Sequence, residues 1–139
     1  TCLYEPKNMV LKYLNYKEYS NENDNSLLTY MNIYDTSIIS FGDASYKVEE
    51  DIINKYNLSN IDILKVSHHG SKTSSSKKYI DIINPKYSVI SVGKNNRFGH
   101  PNKEVLNNLE ESRIFRTDLD GSIEVKLNKN GYKIRTCPS

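Results

Sequence analysis

Three apolar segments alternate with three amphipathic segments through the middle of the chain. The apolar segments span residues 37–43, 60–67 and 87–93, and the amphipathic segments span residues 44–58, 74–84 and 101–112. Residues 87–93, YSVISVG, are continuously apolar, which is typical of a strand covered on both faces. Strands that alternate with helices predict an α/β fold, with a mixed sheet and helices packed on it.

Further strands are predicted near both ends of the chain. Residues 26–34 form a hairpin with the first apolar segment around a turn at Asp35-Thr36, and residues 9–16 fit a short helix or a strand. Three more strands are predicted at residues 114–117, 122–127 and 132–136. The length of 139 residues, without a repeat or a long linker, predicts a single domain over residues 1–139.

Membrane-spanning and cysteine motifs are both missing from the sequence. No apolar run approaches the roughly 18 residues that a transmembrane helix needs, so we predict no transmembrane segment, and no signal-peptide pattern opens the chain. Cys2 and Cys137 are the only cysteines and lie near opposite ends, which excludes a CxxC motif. They fit either free thiols or one disulfide formed outside the reducing cytosol.

The formal net charge of +2 conceals a strongly basic segment. Residues 65–103 contain eight lysines and arginines against one acidic residue, Asp81, and they also hold all three histidines. Such a segment predicts an anionic partner such as a nucleic acid. The alternative is an ordinary solvated face.

Polar side chains follow three predicted strands at the point where each strand ends. Asp43 follows SIISFG, His68 and His69 follow IDILKVS, and Lys94, Asn95 and Asn96 follow YSVISVG. In α/β proteins, ligands bind outside the carboxyl ends of the strands. We therefore expect these side chains to converge on one crevice, although they are far apart in sequence.

The first two of these positions fit metal ligation. Asp43 fits a carboxylate that bridges two divalent ions, or alternatively the N-cap of the helix that follows it. Successive side chains in a strand point to opposite faces, but Gly70 permits a turn directly after the histidines. We expect one histidine to face the crevice as a ligand, and the other to support it or to contact substrate.

Two polar loops continue from the same strand ends. The GSKTSSS loop, with Ser71 and Lys72, suits a phosphate oxygen, and it equally suits a serine-rich cap of the next helix. The GKNNRFGHPN loop adds Lys94, Arg97 and His100. The alternative for this second loop is a polar connection whose turn is set by its glycine and proline.

Five motifs, taken in order, carry a resemblance to a known family. NDNSLL, IISFGDA, DILKVSHHGSKTSSS, YSVISVGKNNRFGHP and FRTDLDGSI resemble the metallo-β-lactamase-fold domain, in the branch found at the C-terminus of ComEC-type DNA-uptake (competence) proteins. The resemblance covers roughly residues 22–127. It implies an αβ/βα sandwich with two divalent metals, Zn or Mn, that activate water for hydrolysis. In this branch the implied substrate is a nucleic-acid phosphodiester.

The resemblance also assigns roles to individual residues. Asp43 corresponds to the aspartate that bridges the two metals, and His68 to the last histidine ligand, with His69 as the alternative. Asp24 is a weak candidate for a further ligand. His100 is expected to donate a proton to the leaving oxygen. The side chains expected to bind the substrate are His69, Ser71, Lys72, Lys94, Asn95 and Arg97.

One departure from the family pattern is decisive. The HxHxDH run that provides most metal ligands is absent, because no histidine precedes His68. The chain therefore corresponds to the C-terminal half of the domain, and such a half leaves one sheet face bare. A zinc site needs three or four protein ligands, whereas Asp43 and His68 supply two.

Three expectations follow from this departure. We expect that the chain alone binds metal partly or not at all, that it is inactive, and that it pairs with an N-terminal half or a second copy.

Two alternative functions are a non-catalytic nucleic-acid-binding module and a scaffolding half-domain. The resemblance implies an extracytoplasmic or secreted location, with the cytoplasm as the alternative.

Overall fold

The fold is that of a computed structural model, which describes residues 8–138. A six-stranded sheet contains β1 (Met9–Tyr13), β2 (Thr29–Ile33), β3 (Thr36–Ser40), β4 (Ile63–Lys65), β5 (Tyr87–Ile90) and β6 (Arg113–Arg116). A separate hairpin contains β7 (Ser122–Asn128) and β8 (Gly131–Cys137). The helices are α1 (Tyr46–Lys55), α2 (Lys77–Ile83), α3 (Lys103–Asn108) and the single turn α4 (Thr117–Asp120). Two 3-10 turns span Glu22–Asn25 and Ser67–Gly70.

The strand order in the large sheet is the same as the order in sequence. β1, β2 and β3 are antiparallel, whereas β3, β4, β5 and β6 run parallel. This confirms an α/β fold with a mixed sheet. Because parallel strands end at the same edge, the segments after Ser40, Lys65 and Ile90 emerge side by side.

The three longer helices share one core with the sheet. Ile39, Leu64 and Ile90 supply the strand side of this core and are almost fully buried. The helical side comes from apolar residues of α1, α2 and the end of α3, namely Val48, Ile52, Tyr79, Ile80, Ile83, Val105 and Leu109. Burial of apolar area against one sheet face stabilises this layer.

The opposite face of the sheet carries an apolar row that is only partly covered. The row runs through directly paired positions from β1 to β5: Leu11, Met31, Ile38, Ile63 and Tyr87. At one end, the Tyr87 ring contacts the Tyr132 ring of β8, with centroids 5.8 Å apart. At the other end, Leu11 is 42% exposed and the neighbouring Tyr13 is 61% exposed. This face is therefore open toward β1.

The strands that lead into the site are shorter than the sequence predicts. β4 ends at Lys65 rather than at residue 67, and β5 ends at Ile90 rather than at residue 93. The histidines therefore lie in a 3-10 turn, not on the strand. Positive φ angles at His68 and His69 turn the backbone away from the strand direction, and the His68 N–H donates to the Gly42 carbonyl oxygen at 3.0 Å.

Four local predictions need correction or completion. Residues 9–16 were compatible with a helix or a strand, and β1 is a strand. The hairpin turn is Tyr34-Asp35 rather than Asp35-Thr36, because Thr36 already pairs with Ile33. α3 begins at Lys103 after the Asn102 cap, so the preceding proline lies before the helix. The turn α4 was not predicted at all.

Two further sequence expectations concern membranes and cysteines. Within residues 8–138, no helix has the length and apolar character that crossing a membrane requires. Cys137 is exposed, and Cys2 lies outside the described residues. The two alternatives, free thiols or one disulfide between them, therefore both stay open.

Candidate functional site

The two adjacent histidines adopt an unusual backbone conformation. His68 has φ 49° and ψ 44°, His69 has φ 56° and ψ 22°, and Gly70 follows with φ 81°. Left-handed conformations are uncommon outside glycine, although histidine adopts them more often than most residues. Consecutive residues in such sparsely populated regions cluster at functional sites, where the surrounding structure holds them.

All three histidines come together at the carboxyl edge of the parallel strands. The His68 ring centroid lies 5.8 Å from that of His100 and 6.3 Å from that of His69. His69 Nδ1 lies 2.6 Å from the Ser91 carbonyl oxygen just beyond β5. Because a carbonyl oxygen only accepts, Nδ1 carries the hydrogen, and Nε2 of the neutral ring is left as an acceptor. The predicted convergence of these segments is present.

Gly70 and Pro101 lock the two histidine-bearing loops together. The Asn102 N–H donates to the Gly70 carbonyl oxygen at 2.8 Å. A Cβ atom on Gly70 would lie 2.6 Å from Cβ of Pro101, which is closer than real contacts allow. Gly70 is therefore needed both for its positive φ and for this close approach.

Asp43 lies beside the histidine turn and does not cap a helix. Its N–H donates to the Ser26 hydroxyl at 3.1 Å, and its carboxylate is close enough to Lys65 to favour that ammonium. Burial is the larger influence on Lys65 and lowers its pKa below the usual value. Ser45 occupies the N-cap position of α1, so the cap interpretation of Asp43 is wrong.

Asp24 performs the capping role instead. It is 7% exposed, and its Oδ1 accepts a hydrogen bond from the Ser45 N–H at 2.9 Å. The Ser45 hydroxyl makes no capping hydrogen bond of its own. The structure thus gives Asp24, the weak candidate for a further metal ligand, a structural partner at the start of α1.

The donor set does not fit a complete metal centre. Within residues 8–138, no three side chains of histidine, cysteine, aspartate or glutamate are grouped so that they could hold an ion. A zinc site takes three or four protein ligands. Asp43 and His68 therefore remain two candidate ligands, and no reaction step through a metal can be derived from these residues.

The predicted substrate-binding side chains divide into buried and exposed groups. Ser71 is 6% exposed, and its hydroxyl lies 3.0 Å from the Thr73 hydroxyl. The helix-cap interpretation of the loop is confirmed at Ser76, whose hydroxyl oxygen accepts from the Tyr79 N–H at the start of α2. The exposed members of the predicted set are His69, Lys72, Lys94, Asn95 and Arg97.

Asn96 organises the second loop, a structural role that the sequence did not predict for it. Its amide nitrogen donates to the His100 carbonyl oxygen at 2.6 Å and to the Gly93 carbonyl oxygen at 3.3 Å. Its side-chain oxygen accepts from the N–H groups of Phe98 and His100 at 3.2 and 2.9 Å. One side chain thus closes the loop that carries Arg97 and His100.

His100 has a depressed affinity for protons in this environment. Partial burial, followed by the charges of His68 and His69, lowers the pKa of His100 below its usual value. The neutral ring is therefore favoured near pH 7. In this state His100 is better suited to accept a proton than to deliver one. The role predicted for His100 is the opposite one, donation of a proton to the leaving oxygen.

A buried carboxyl supports the site from behind. Glu49 of α1 is fully buried, and its Oε1 accepts from the Ser75 N–H at 2.7 Å. Burial is the main cause that raises the pKa of Glu49 to about 8. Glu49 Oε2 and the Tyr79 hydroxyl are buried without a hydrogen-bond partner among the described residues. Its spacing places Glu49 on the apolar face of α1, three and four residues before Ile52 and Ile53, but sequence reasoning missed it because a glutamate is rarely fully buried.

Fold and site together define an α/β protein with a histidine-rich, basic crevice at the carboxyl edge of its parallel strands. No protein-family model matches the chain. The chain is 38% identical over 109 residues to ComE operon protein 3 of Bacillus subtilis (strain 168). It is 36% identical over 101 residues to competence protein ComA of Neisseria gonorrhoeae and 30% identical over 116 residues to recombination protein 2 of Haemophilus influenzae.

These similarities cover most of the chain but a small part of each relative. They span 77%, 70% and 82% of the chain, in the same order, and 14% of each relative. The chain is thus homologous to one segment of competence-type proteins, as the sequence motifs predicted.

Proposed function

We propose that the chain is the C-terminal part of a metal-dependent hydrolase domain of metallo-β-lactamase fold, which cleaves nucleic-acid phosphodiesters in DNA uptake. The observation that carries this proposal is the cluster of His68, His69 and His100, with ring centroids about 6 Å apart, beside Asp43. The similarity to competence-type proteins supports the DNA-uptake setting.

The charge around the cluster supports an anionic substrate. Lys72 lies in the loop after the histidine turn, and Lys94 and Arg97 lie in the loop that ends at His100. These exposed cations lie in the two loops that carry the histidines. A phosphodiester backbone that crosses the crevice would meet their positive charge.

The incomplete donor set fits a shared centre. In this proposal Asp43 and His68 supply two ligands to a pair of Zn or Mn ions, and the remaining ligands come from outside the described residues. They would come from a preceding segment of the same polypeptide or from a second copy of the chain. The open sheet face around Leu11 and Tyr13 supports a further layer, because apolar area of this kind is normally covered.

Reading the coding sequence upstream and assaying the longer polypeptide would test the proposal. We expect an HxHxDH run before Thr1, and hydrolysis of labelled DNA by that polypeptide in the presence of Mn²⁺ or Zn²⁺. Asp43→Ala and His68→Ala should each lower the rate by more than the roughly 10- to 100-fold that loss of a supporting residue costs. Lys86→Ala, at the amino end of β5, is the matched control and should leave the rate unchanged.

Absence of the upstream run, together with no hydrolysis, would contradict the hydrolase proposal. A second function would then be favoured, because the described residues group no three metal donors. In that case the chain is a non-catalytic module that binds nucleic acid through its basic loops. DNA binding that survives both Asp43→Ala and His68→Ala, without cleavage in any metal, would identify this second function.

A further inference from the structure

We infer that Phe98 is a stacking platform for an unpaired nucleobase, so that the crevice receives single-stranded rather than duplex nucleic acid. This inference rests on the proposed function only in its choice of nucleic acid as the partner. It assigns a role to Phe98, for which the sequence analysis predicted none.

Phe98 is exposed to an extent that packing does not explain. Its side chain is 80% exposed, more than any other large hydrophobic side chain within residues 8–138. It makes one ring contact, a stacked arrangement on His100 with centroids 5.7 Å apart and planes inclined by 27°. Since the ring remains mostly exposed despite this contact, it has accessible area for another flat group.

Hydrogen bonds fix the backbone around Phe98, and the ring is stacked on His100, before any ligand arrives. The Phe98 N–H donates to the Asn96 side-chain oxygen, and the same oxygen accepts from the His100 N–H. The Asn96 amide closes the loop through the His100 and Gly93 carbonyl oxygens. A pre-organised aromatic ring loses little conformational entropy on binding, which favours its use as a contact.

The position of Phe98 matches that of a nucleotide next to the histidine cluster. Phe98 contacts His100 at 5.7 Å, and His100 contacts His68 at 5.8 Å. A strand rises about 3.4 Å per nucleotide in a duplex, so the distance from Phe98 to His68 is at most about three nucleotides. A base stacked on Phe98 would therefore belong to the same short segment whose phosphate reaches the histidines.

The neighbouring charge agrees with a nucleotide and not with a purely apolar ligand. Arg97 precedes Phe98 and is exposed, and Lys72 is exposed in the loop after the histidine turn. Stacking on an aromatic ring combined with cationic contacts to the backbone is how proteins bind single strands without reading their sequence. Duplex DNA keeps its base faces stacked on each other, so it would offer Phe98 no free face.

A set of binding measurements tests the inference on the full 139-residue chain. Fluorescence anisotropy would give the Kd for a labelled single strand, for a duplex of the same sequence, and for an abasic strand of the same length. Phe98→Ala should weaken single-strand binding roughly 5- to 150-fold and leave duplex and abasic binding unchanged. Phe98→Tyr keeps a flat ring and should retain the wild-type affinity.

A spectroscopic variant detects the stacking directly. The chain contains eleven tyrosines and no tryptophan, so Phe98→Trp introduces a single tryptophan that can be excited selectively at the proposed contact. Its emission should be quenched by the single strand and not by the abasic strand. Tyr34→Trp, in the turn at the opposite end of the sheet, is the matched control and should show no quenching by either strand.

The outcomes separate this inference from the proposed function. If the wild-type chain binds the single strand and Phe98→Ala binds it equally well, the stacking role is wrong while nucleic-acid binding stands. Equal weakening of abasic and normal strands would also overturn stacking, because it would mean a loop change or a charge effect. If the wild-type chain binds none of the three probes, the nucleic-acid partner fails, and the stacking inference fails with it.

Discussion

His69 Nδ1 donates a hydrogen bond to the Ser91 carbonyl oxygen over 2.6 Å, and so joins the turn after β4 to the segment after β5. The bond holds the left-handed backbone of His69 against a neighbouring strand end. It also separates the functions of the two adjacent histidines. One ring nitrogen of His69 is used in this structural hydrogen bond, whereas the His68 ring faces His100 across the crevice.

The role of His69 predicts that asparagine replaces it better than alanine. His69→Ala loses the hydrogen bond and places a less tolerant residue at φ 56°, and it should lower the free energy of unfolding by about 1–2 kcal/mol. His69→Asn keeps a side-chain donor and adopts left-handed conformations readily, so it should lie closer to wild type. Urea unfolding of both variants checks this order, and equal losses would mean that neither the bond nor the backbone conformation matters.

Three glycines allow steric and backbone effects to be separated. Gly70 has a positive φ and would clash with Pro101, Gly99 has a positive φ with open space, and Gly93 lies in open space without a positive φ. Gly70→Ala should therefore destabilise most, by about 3 kcal/mol or more, Gly99→Ala by about 1 kcal/mol, and Gly93→Ala by less than about 0.5 kcal/mol. Thermal unfolding ranks the three. A Gly70→Ala variant as stable as Gly93→Ala would refute the close approach of the two loops.

Asp24 is predicted to act on stability through its hydrogen bond to Ser45. Asp24→Ala should cost about 0.5–2 kcal/mol, because it removes the acceptor at the start of α1, and Asp24→Asn should recover most of this loss. Glu22→Ala, in the same 3-10 turn and exposed, is the matched control. Unfolding with and without added Zn²⁺ distinguishes a cap from a ligand: a loss that appears only with metal would contradict the capping role.

The raised pKa of Glu49 predicts that the free energy of unfolding falls as the pH rises. Its pKa is raised from 4.5 to about 8 in the folded chain, so below about pH 4.5 the carboxyl is neutral in both states. As the pH rises toward 8, the unfolded chain carries the charge at no cost while the folded chain resists it. The stability that Glu49 contributes therefore falls through this window, by at most about 1.4 kcal/mol per pH unit.

The matched variant for this measurement is Glu49→Gln, which cannot titrate and keeps an acceptor for the Ser75 N–H. From pH 5.5 to 7.5, the free energy of unfolding of wild type should fall steadily relative to that of Glu49→Gln. Both proteins carry the same other titratable groups, so the contribution of those groups cancels in the difference. A difference that stays constant across this range would mean that Glu49 titrates normally.

The alternation of strands and helices was readable from the sequence because each segment carries its own hydrophobic period. The sequence also brought His68 and His100 to one edge of the sheet correctly, since parallel strands end at one edge of a sheet. The ends of these strands were not predictable. β4 stops at Lys65 and is followed by a turn in which His68 and His69 have positive φ, and the His68 N–H bonds to Gly42, which is distant in sequence.

The supporting residues of the site were missed for a similar reason. Asp24 caps a helix that begins 22 residues later, and Glu49 holds a loop 26 residues away. No pattern of neighbouring residues in the sequence predicts such distant partners. Phe98 could have attracted attention as the one aromatic residue in a polar, basic loop, but its exposure is a tertiary property.

The salt dependence of single-strand binding tests the central claim most directly, namely that the basic loops beside the histidine cluster hold a nucleic-acid backbone. Contacts from Lys72, Lys94 and Arg97 predict that log affinity falls against log salt with a slope of about −2, at roughly −0.7 per phosphate contact. The double variant Lys72→Ala/Arg97→Ala should bring that slope to about −0.7, whereas Lys86→Ala should leave it unchanged. Binding that is absent at low salt, or that does not weaken as salt rises, would contradict the account.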